Sequence, residues 1–372
     1  MERRGRILAQ IAVVVVLGAT LAYAVYTSTP PSNAPCLSGP GSASNPFVPA
    51  LSAHRNVARP GTEMPAASVA GPPAHFGGTQ PGTGAARGSP SGTAGTIVHI
   101  VAAENFWGSL AAQLGGNLST VLSIVSDPNA DPHEYEANSS DAVAIANAQL
   151  VIINGVGYDE WARQLISAGG NPNQLVLDVG ALNGVTVGAG VVAGNPHMWY
   201  NPIYVNATVA AIYADLVTIA PGETAYFQGQ YRALNASLSA LYAQADVLRS
   251  RYAGTVVAST EDIFVYLANY TRLDLISPPE FMQAIAEGND PPTQSLVTFQ
   301  CQLESGHVRL LVYNEQTITP ITTSLQNLAT ANHVTVVGVT ETIQPPGLSF
   351  QAWMGAELSN LMNALAASIA SG

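Results

Sequence analysis

From residue 97 onward the sequence repeats one unit: a short run of β-branched and aliphatic residues, a polar break, then a segment of helical period. Residues 97–101, 121–125, 150–154 and 175–177 are the strand-like runs of the first half, separated by helical patterns over 105–114, 139–148 and 158–168. The second half repeats the alternation, with strands over 256–258, 273–276, 308–313 and 334–337 and helices over 263–269, 292–303, 318–331 and 350–370. Strands alternating with helices specify parallel α/β units, because a parallel pair needs a crossover that a helix supplies. Between the halves, residues 221–252 read as one helix with Pro221 at its first position. Phe227, Tyr231, Leu234, Leu238, Leu241, Ala245, Leu248 and Tyr252 stand alternately four and three residues apart, a continuous apolar stripe. Such a helix would be ~48 Å long. It fits a rigid connector between two lobes or an ordinary amphipathic surface helix. The expected fold is α/β: two lobes, each a parallel sheet flanked by helices, joined by one long helix. The expected boundaries are 96–220, 221–252 and 253–372.

The first quarter of the chain is different. Residues 7–26 form a nearly unbroken apolar run preceded by Arg3, Arg4 and Arg6. A helix of that length spans ~30 Å, one hydrocarbon core, and the arginines hold its start in the cytoplasm. Ala22-Tyr23-Ala24 offers a signal-cleavage pattern, so both a cleaved signal and a retained anchor are open. Pro35 before Cys36 spoils a lipoprotein box, and lipidation is not expected. Residues 27–95, rich in Pro, Gly, Ser, Ala and Thr, bury too little apolar surface to offset ordering entropy and are expected to be a disordered tether reaching roughly 45 Å. His54 and His75 fall here as solvated bystanders. Either reading of the N-terminus places the folded part outside the cytoplasm.

Charge narrows the function. The chain has 12 arginines, no lysine and 24 acids, and residues 97–372 hold six of the arginines against 22 of the acids. That balance excludes nucleic acid and polybasic membrane-surface binding, both of which need clustered cations. Cys36 and Cys301 are the only cysteines. One lies in the tether and one in a helix, so no structural disulfide is expected, and Cys301 reads as a small buried hydrophobe.

Four groups stand where strands give way to loops. His133 follows Asp131-Pro132, and His197 follows Asn195-Pro196; the two share an X-Pro-His frame at loop-to-helix junctions, and a helix is expected after His197. Glu261 follows the strand at 256–258, and Glu341 follows the strand at 334–337. Open parallel sheets place ligands at the carboxyl ends of their strands. Taken singly, each has a plainer explanation: a satisfied polar histidine, a helix N-terminal acid at 261, a solvated loop acid at 341. His99, His307 and His333 are assigned no role.

The order of the chain's motifs resembles the extracytoplasmic metal-binding receptors of ABC importers that take up zinc or manganese. The matching strings are Glu104-Asn105-Phe106-Trp107, Asp131-Pro132-His133-Glu134-Tyr135-Glu136, Asn154-Gly155 before Trp161, and Pro196-His197-Met198-Trp199. They continue as Ser259-Thr260-Glu261 with Phe264 and Tyr266, Ala286-Glu287-Gly288, Tyr313-Asn314, Val339-Thr340-Glu341-Thr342 and Ser349-Phe350-Gln351-Ala352-Trp353-Met354. The resemblance implies a receptor and not an enzyme. In it four side chains from two lobes, here His133, His197, Glu261 and Glu341, close on one divalent ion. It further implies an ABC permease with a cytoplasmic ATPase as partner and a monomer, which the N-terminal segment is expected to tether at the membrane.

The departures concern the ion. The third position is often His in zinc-type members and Glu in manganese-type members, and here it is Glu261. The fourth is commonly Asp, and here it is Glu341. The segment before His197, residues 182–194, lacks the His- and acid-rich composition of many zinc-type members. Two histidines with two carboxylates form a hard donor set suited to manganese or iron, yet zinc binds most N/O sites more tightly. The competing readings are an organic-solute receptor, a metal-dependent adhesin or scaffold on the same fold, and a metallohydrolase; the last lacks a His-Glu-x-x-His motif.

Overall fold

The computed structural model describes residues 97–127, 132, 135–169, 171–186 and 194–370. The expected signal or anchor (1–26), the tether (27–95) and His133 lie outside the described residues.

The first sheet contains β1 (Val98–Glu104), β2 (Ser119–Val125), β3 (Leu150–Ile153) and β4 (Leu175–Asp178), all parallel, in the order β2-β1-β3-β4. The second contains β5 (Val256–Ser259), β6 (Asp274–Leu275), β7 (Leu310–Asn314) and β8 (Thr335–Val339), parallel in the order β6-β5-β7-β8. The second half thus repeats the topology of the first. Its central strands are apolar on both faces: Val257, Ala258, Leu310, Leu311 and Val312 are buried, as a sheet covered by helices on both sides requires.

The long helix exists with one adjustment. Pro221–Glu223 is a 3-10 turn that leads into the α-helix Thr224–Tyr252. Phe227, Leu234, Leu238, Leu241, Ala245 and Leu248 are buried along it, as the stripe predicts. Tyr231 sits at the edge of the stripe, half-buried, and stacks on Tyr213 at 4.8 Å between ring centroids. The closing helix Phe350–Ala370 packs on this long helix and reaches the helix Asn105–Gly115 of the first half. One hydrophobic core therefore runs from β1 through the long helix to the second sheet.

Three local expectations differ from what is found. Ser139-Ser140-Asp141 reads in the sequence as the cap of the helix over 139–148, but the helix Ser139–Asn147 is capped by Asn138, whose side chain accepts the Ser140 N–H while Asp141 closes the capping box. The helix Pro202–Ile219 is the one expected after the His197 segment, whereas Pro279–Ala286 has no counterpart in the sequence pattern. Pro202–Ile219 is apolar and long enough to cross a membrane by length and composition, yet Val205, Val209, Ile212 and Leu216 lie in the protein core. Cys301 is half-buried and disulfide-bonded, where no structural disulfide and a small buried hydrophobe were expected; a half-buried cysteine can be reached by a second thiol where the surroundings are oxidising.

Candidate metal centre

The carboxyl ends of the strands carry the polar residues of the site. In the first half, β1 ends at Glu104 and β3 is followed by Asn154-Gly155. Asp159 accepts the backbone N–H groups of Asn154 (2.6 Å) and Gly155 (2.8 Å), and Trp107 donates its indole N–H to Asn154 Oδ1 (3.0 Å). Gly155 has φ +74°, and a Cβ there would collide with the Asp178 carboxylate, so this turn requires glycine. Burial pushes the Asp159 carboxyl up to about 6, against the opposing pull of its two backbone donors. Burial, reinforced by Asp159 alongside, raises Glu104 well above the carboxylate range. The turn presents Tyr158, whose hydroxyl donates to Glu341 Oε2 in the other half at 2.6 Å.

His197 is fully buried just before the 3-10 turn Met198–Tyr200. Its Nδ1 lies 2.9 Å from Asn195 Oδ1 and 3.1 Å from Asp262 Oδ1. The Asn195 acceptor at Nδ1, with the Asp262 carboxylate alongside, selects the tautomer with the proton there and the lone pair on Nε2, the arrangement a metal-binding imidazole uses. Asn195 also donates to the Asp262 carbonyl at 2.7 Å, so the His197 loop is fastened directly to the loop that carries Glu261.

Glu261 and Glu341 are both fully buried, one past β5 and one past β8. Asn314, at the end of β7 between them, donates its amide nitrogen to Glu261 Oε2 (2.9 Å) and to Glu341 Oε1 (2.6 Å). Burial, then the Glu341 charge beside it, raises Glu261 well above the carboxylate range. Glu261 Oε1 is buried with no hydrogen-bond partner among the described residues. The Glu341 loop is held by Gln316, whose Oε1 accepts the N–H groups of Glu341 (2.8 Å) and Thr342 (3.0 Å).

Of the four expected ligands, the structure brings Glu261 and Glu341 together on Asn314 and ties His197 to the Glu261 loop. His133 lies outside the described residues. Among the described residues no three of His, Cys, Asp and Glu converge closely enough to hold an ion by themselves. Sequence reasoning gave no role to Tyr158, Asn195, Asp262 or Asn314. Asn195 and Asp262 each stand within two residues of an expected ligand, and Asn314 ends a strand, so position could have marked them.

Behind Glu341, Thr340 is clamped from three sides. Tyr200 donates to its carbonyl (2.8 Å), Trp353 to its hydroxyl (2.8 Å), and its own N–H donates to Glu357 Oε1 (3.2 Å). Burial pushes the Glu357 carboxyl up to about 7, with the Thr340 hydrogen bonds pulling the other way. A carboxyl whose folded pKa exceeds its unfolded value keeps its proton longer in the folded chain. The stability that Glu357 contributes is therefore fully present below the unfolded value near 4.5 and is lost as pH rises to about 7. Each pH unit in that window changes the unfolding free energy by ~1.4 kcal/mol. Urea unfolding of metal-free Glu357→Gln at pH 5 and pH 8 is expected to shift the variant's stability relative to the parent in its favour by about 2–3 kcal/mol at the higher pH. Parallel pH dependences in the two proteins would rule this out.

A protein-family model for the zinc-uptake complex component A, periplasmic (ZnuA), matches residues 100–364. The chain belongs to this family. The family consists of extracytoplasmic solute-binding proteins that work with metal ABC importers, and its members are substrate-binding proteins and not enzymes. Among curated relatives, the zinc-binding protein TroA of Treponema pallidum is 28% identical over 31% of this chain and 37% of its own length. The manganese-binding lipoprotein MntA of Halalkalibacterium halodurans is 33% identical over 19% of this chain and 24% of its own. The iron-binding protein YfeA of Yersinia pestis is 25% identical over 49% of this chain and 59% of its own. The matched stretches thus span from about a quarter to three fifths of those relatives. A crystal structure of ZnuA shares the fold at a TM-score of 0.59 and 20% identity, covering 72% of this chain and 99% of that one. FpvC of Pseudomonas aeruginosa, solved with Mn2+, does so at 0.61 and 20% identity, covering 73% of this chain and 100% of that one. The two parallel four-stranded sheets and the long helix are this family's two-lobe fold.

Proposed function

We propose that the chain is an extracytoplasmic receptor that binds one divalent transition-metal ion, zinc or manganese, between its lobes and delivers it to a membrane ABC permease driven by a cytoplasmic ATPase. The lobes are 96–220 and 253–372, with 221–252 as connector. The receptor acts as a monomer held near the membrane by residues 1–95. The ion is cargo, and its ligands are His133, His197, Glu261 and Glu341.

The observation that carries this reading is the orphaned Glu261 Oε1 in a fully buried pair of acids. A buried carboxylate oxygen without a donor is costly unless a cation or proton satisfies it. Between described residues, the arginine ion pairs are those of Arg163 with Glu160 and Asp178, away from these acids. Two carboxylates also match the +2 charge of the ion, and His197 is oriented as a nitrogen ligand through its Nδ1 acceptors. The names of TroA and MntA, and the Mn2+ bound to FpvC, support the same cargo class.

Elemental analysis of protein purified without added metal, followed by competition between zinc and manganese, tests the reading. One tightly held ion per chain is the expected result. Two or more tight ions, or none on titration, would overturn it.

A further inference from the structure

We infer that Asn314 is a positioning residue that sets the spacing of Glu261 and Glu341, and through that spacing the preference between ions. The inference rests on the four-ligand reading above. One amide nitrogen reaches Glu261 Oε2 at 2.9 Å and Glu341 Oε1 at 2.6 Å, so the two carboxylates are pinned to a single point. They come from different strands and lie 53 and 27 positions from Asn314 in sequence.

The orientation of the amide is fixed by its other end. Asn314 Oδ1 accepts the Gln316 N–H at 2.9 Å. Turning the amide over would set Oδ1 against two carboxylate oxygens and its NH2 against a backbone N–H, losing every bond at once. Thr317 Oγ1 lies 3.0 Å from the same nitrogen and closes the remaining side. The brace is also neutral. A lysine or arginine here would hold the acids together but bring a positive charge that repels the cargo. An amide supplies donors and leaves both negative charges for the ion.

Spacing bears unequally on the two ions. Manganese is bound through oxygen and depends on carboxylates, whereas imidazole suits zinc, which is content with three protein ligands and a water. Releasing the brace lets the like-charged carboxylates separate, so that one no longer reaches the ion. What remains, two histidines and one carboxylate, still serves zinc.

Asn314→Ser, whose single hydroxyl proton can hold only one carboxylate, and Asn314→Asp, which keeps the shape but has no amide donor, test this in the full-length chain. Each is stripped of metal, checked for cooperative unfolding, and titrated separately with Mn2+ and Zn2+. Manganese affinity is expected to fall by about 10–100-fold, the range for partners that orient ligands, and zinc affinity by several-fold less. The electron paramagnetic resonance spectrum of bound Mn2+ should broaden as the carboxylates separate. A structural role alone would lower both affinities together and leave their ratio at the parent value. An unchanged ratio in either folded variant therefore overturns the inference while the receptor reading stands. If the unmutated protein binds neither ion, the receptor reading fails and the inference fails with it.

Discussion

Replacing His197 by Ala is expected to lower affinity for both zinc and manganese by about 100-fold or more, beyond the 10–100-fold range of partners that only orient a ligand. The ring is fully buried, and its Nδ1 is held at 2.9 Å by Asn195 and 3.1 Å by Asp262. Truncation removes a nitrogen ligand and leaves Asp262 facing an emptied, dry space. Imidazole suits zinc better than manganese, so the zinc affinity should fall the more, opposite in sense to the Asn314 variants. Calorimetric titration with each metal measures this, and retention of parental affinity for both would remove His197 from the site. Asp262→Asn, which keeps an acceptor for Nδ1 but no charge, should cost about tenfold.

A stability loss of about 3–5 kcal/mol is expected for Phe106→Ala. Phe106 is fully buried, stacks on Trp199 at 4.0 Å and 24°, and meets Trp107 edge-on at 5.3 Å. Trp199 in turn presses edge-on against His197 at 5.2 Å. The cavity left by the phenyl ring would therefore open behind Trp199, one ring removed from the candidate ligand. Urea unfolding of the metal-free protein reads the stability, and a loss below ~1 kcal/mol, the size of an average substitution, would mean that the aromatic stack collapses to fill the space.

The strands were legible in the sequence because a buried parallel strand is a short β-branched run that little else resembles. Glu261 and Glu341 could be marked as site residues because both stand just past such runs. The helix Pro202–Ile219 was legible only as a helix following His197, without bounds, because apolar residues on most of its faces blunt the 3.6-residue signal. The helix Pro279–Ala286 opens behind Pro278-Pro279, a pair that reads as a break. The disulfide at Cys301 has no local pattern at all. Tyr158 and Asn314 were missed for another reason. Their roles depend on meeting Glu341 from 183 and 27 positions away, and no local periodicity reports which ends of which strands will face each other.

The single long helix between the lobes has a mechanical meaning. At 29 residues it is ~44 Å of continuous hydrogen-bonded backbone, and it offers no pair of flexible strands at which a jaw could swing. The halves share one hydrophobic core and meet at the site along a seam of bonds: Tyr158 to Glu341, Tyr200 to Thr340, Asn195 to Asp262, and Ile343 to Asn105. Each of these exchanges with water for a net ~0.5–1.5 kcal/mol. Under the receptor reading, the dwell time of the cargo is then set by how readily water enters the seam, and a membrane partner that pries one edge open would release the ion without bending the chain.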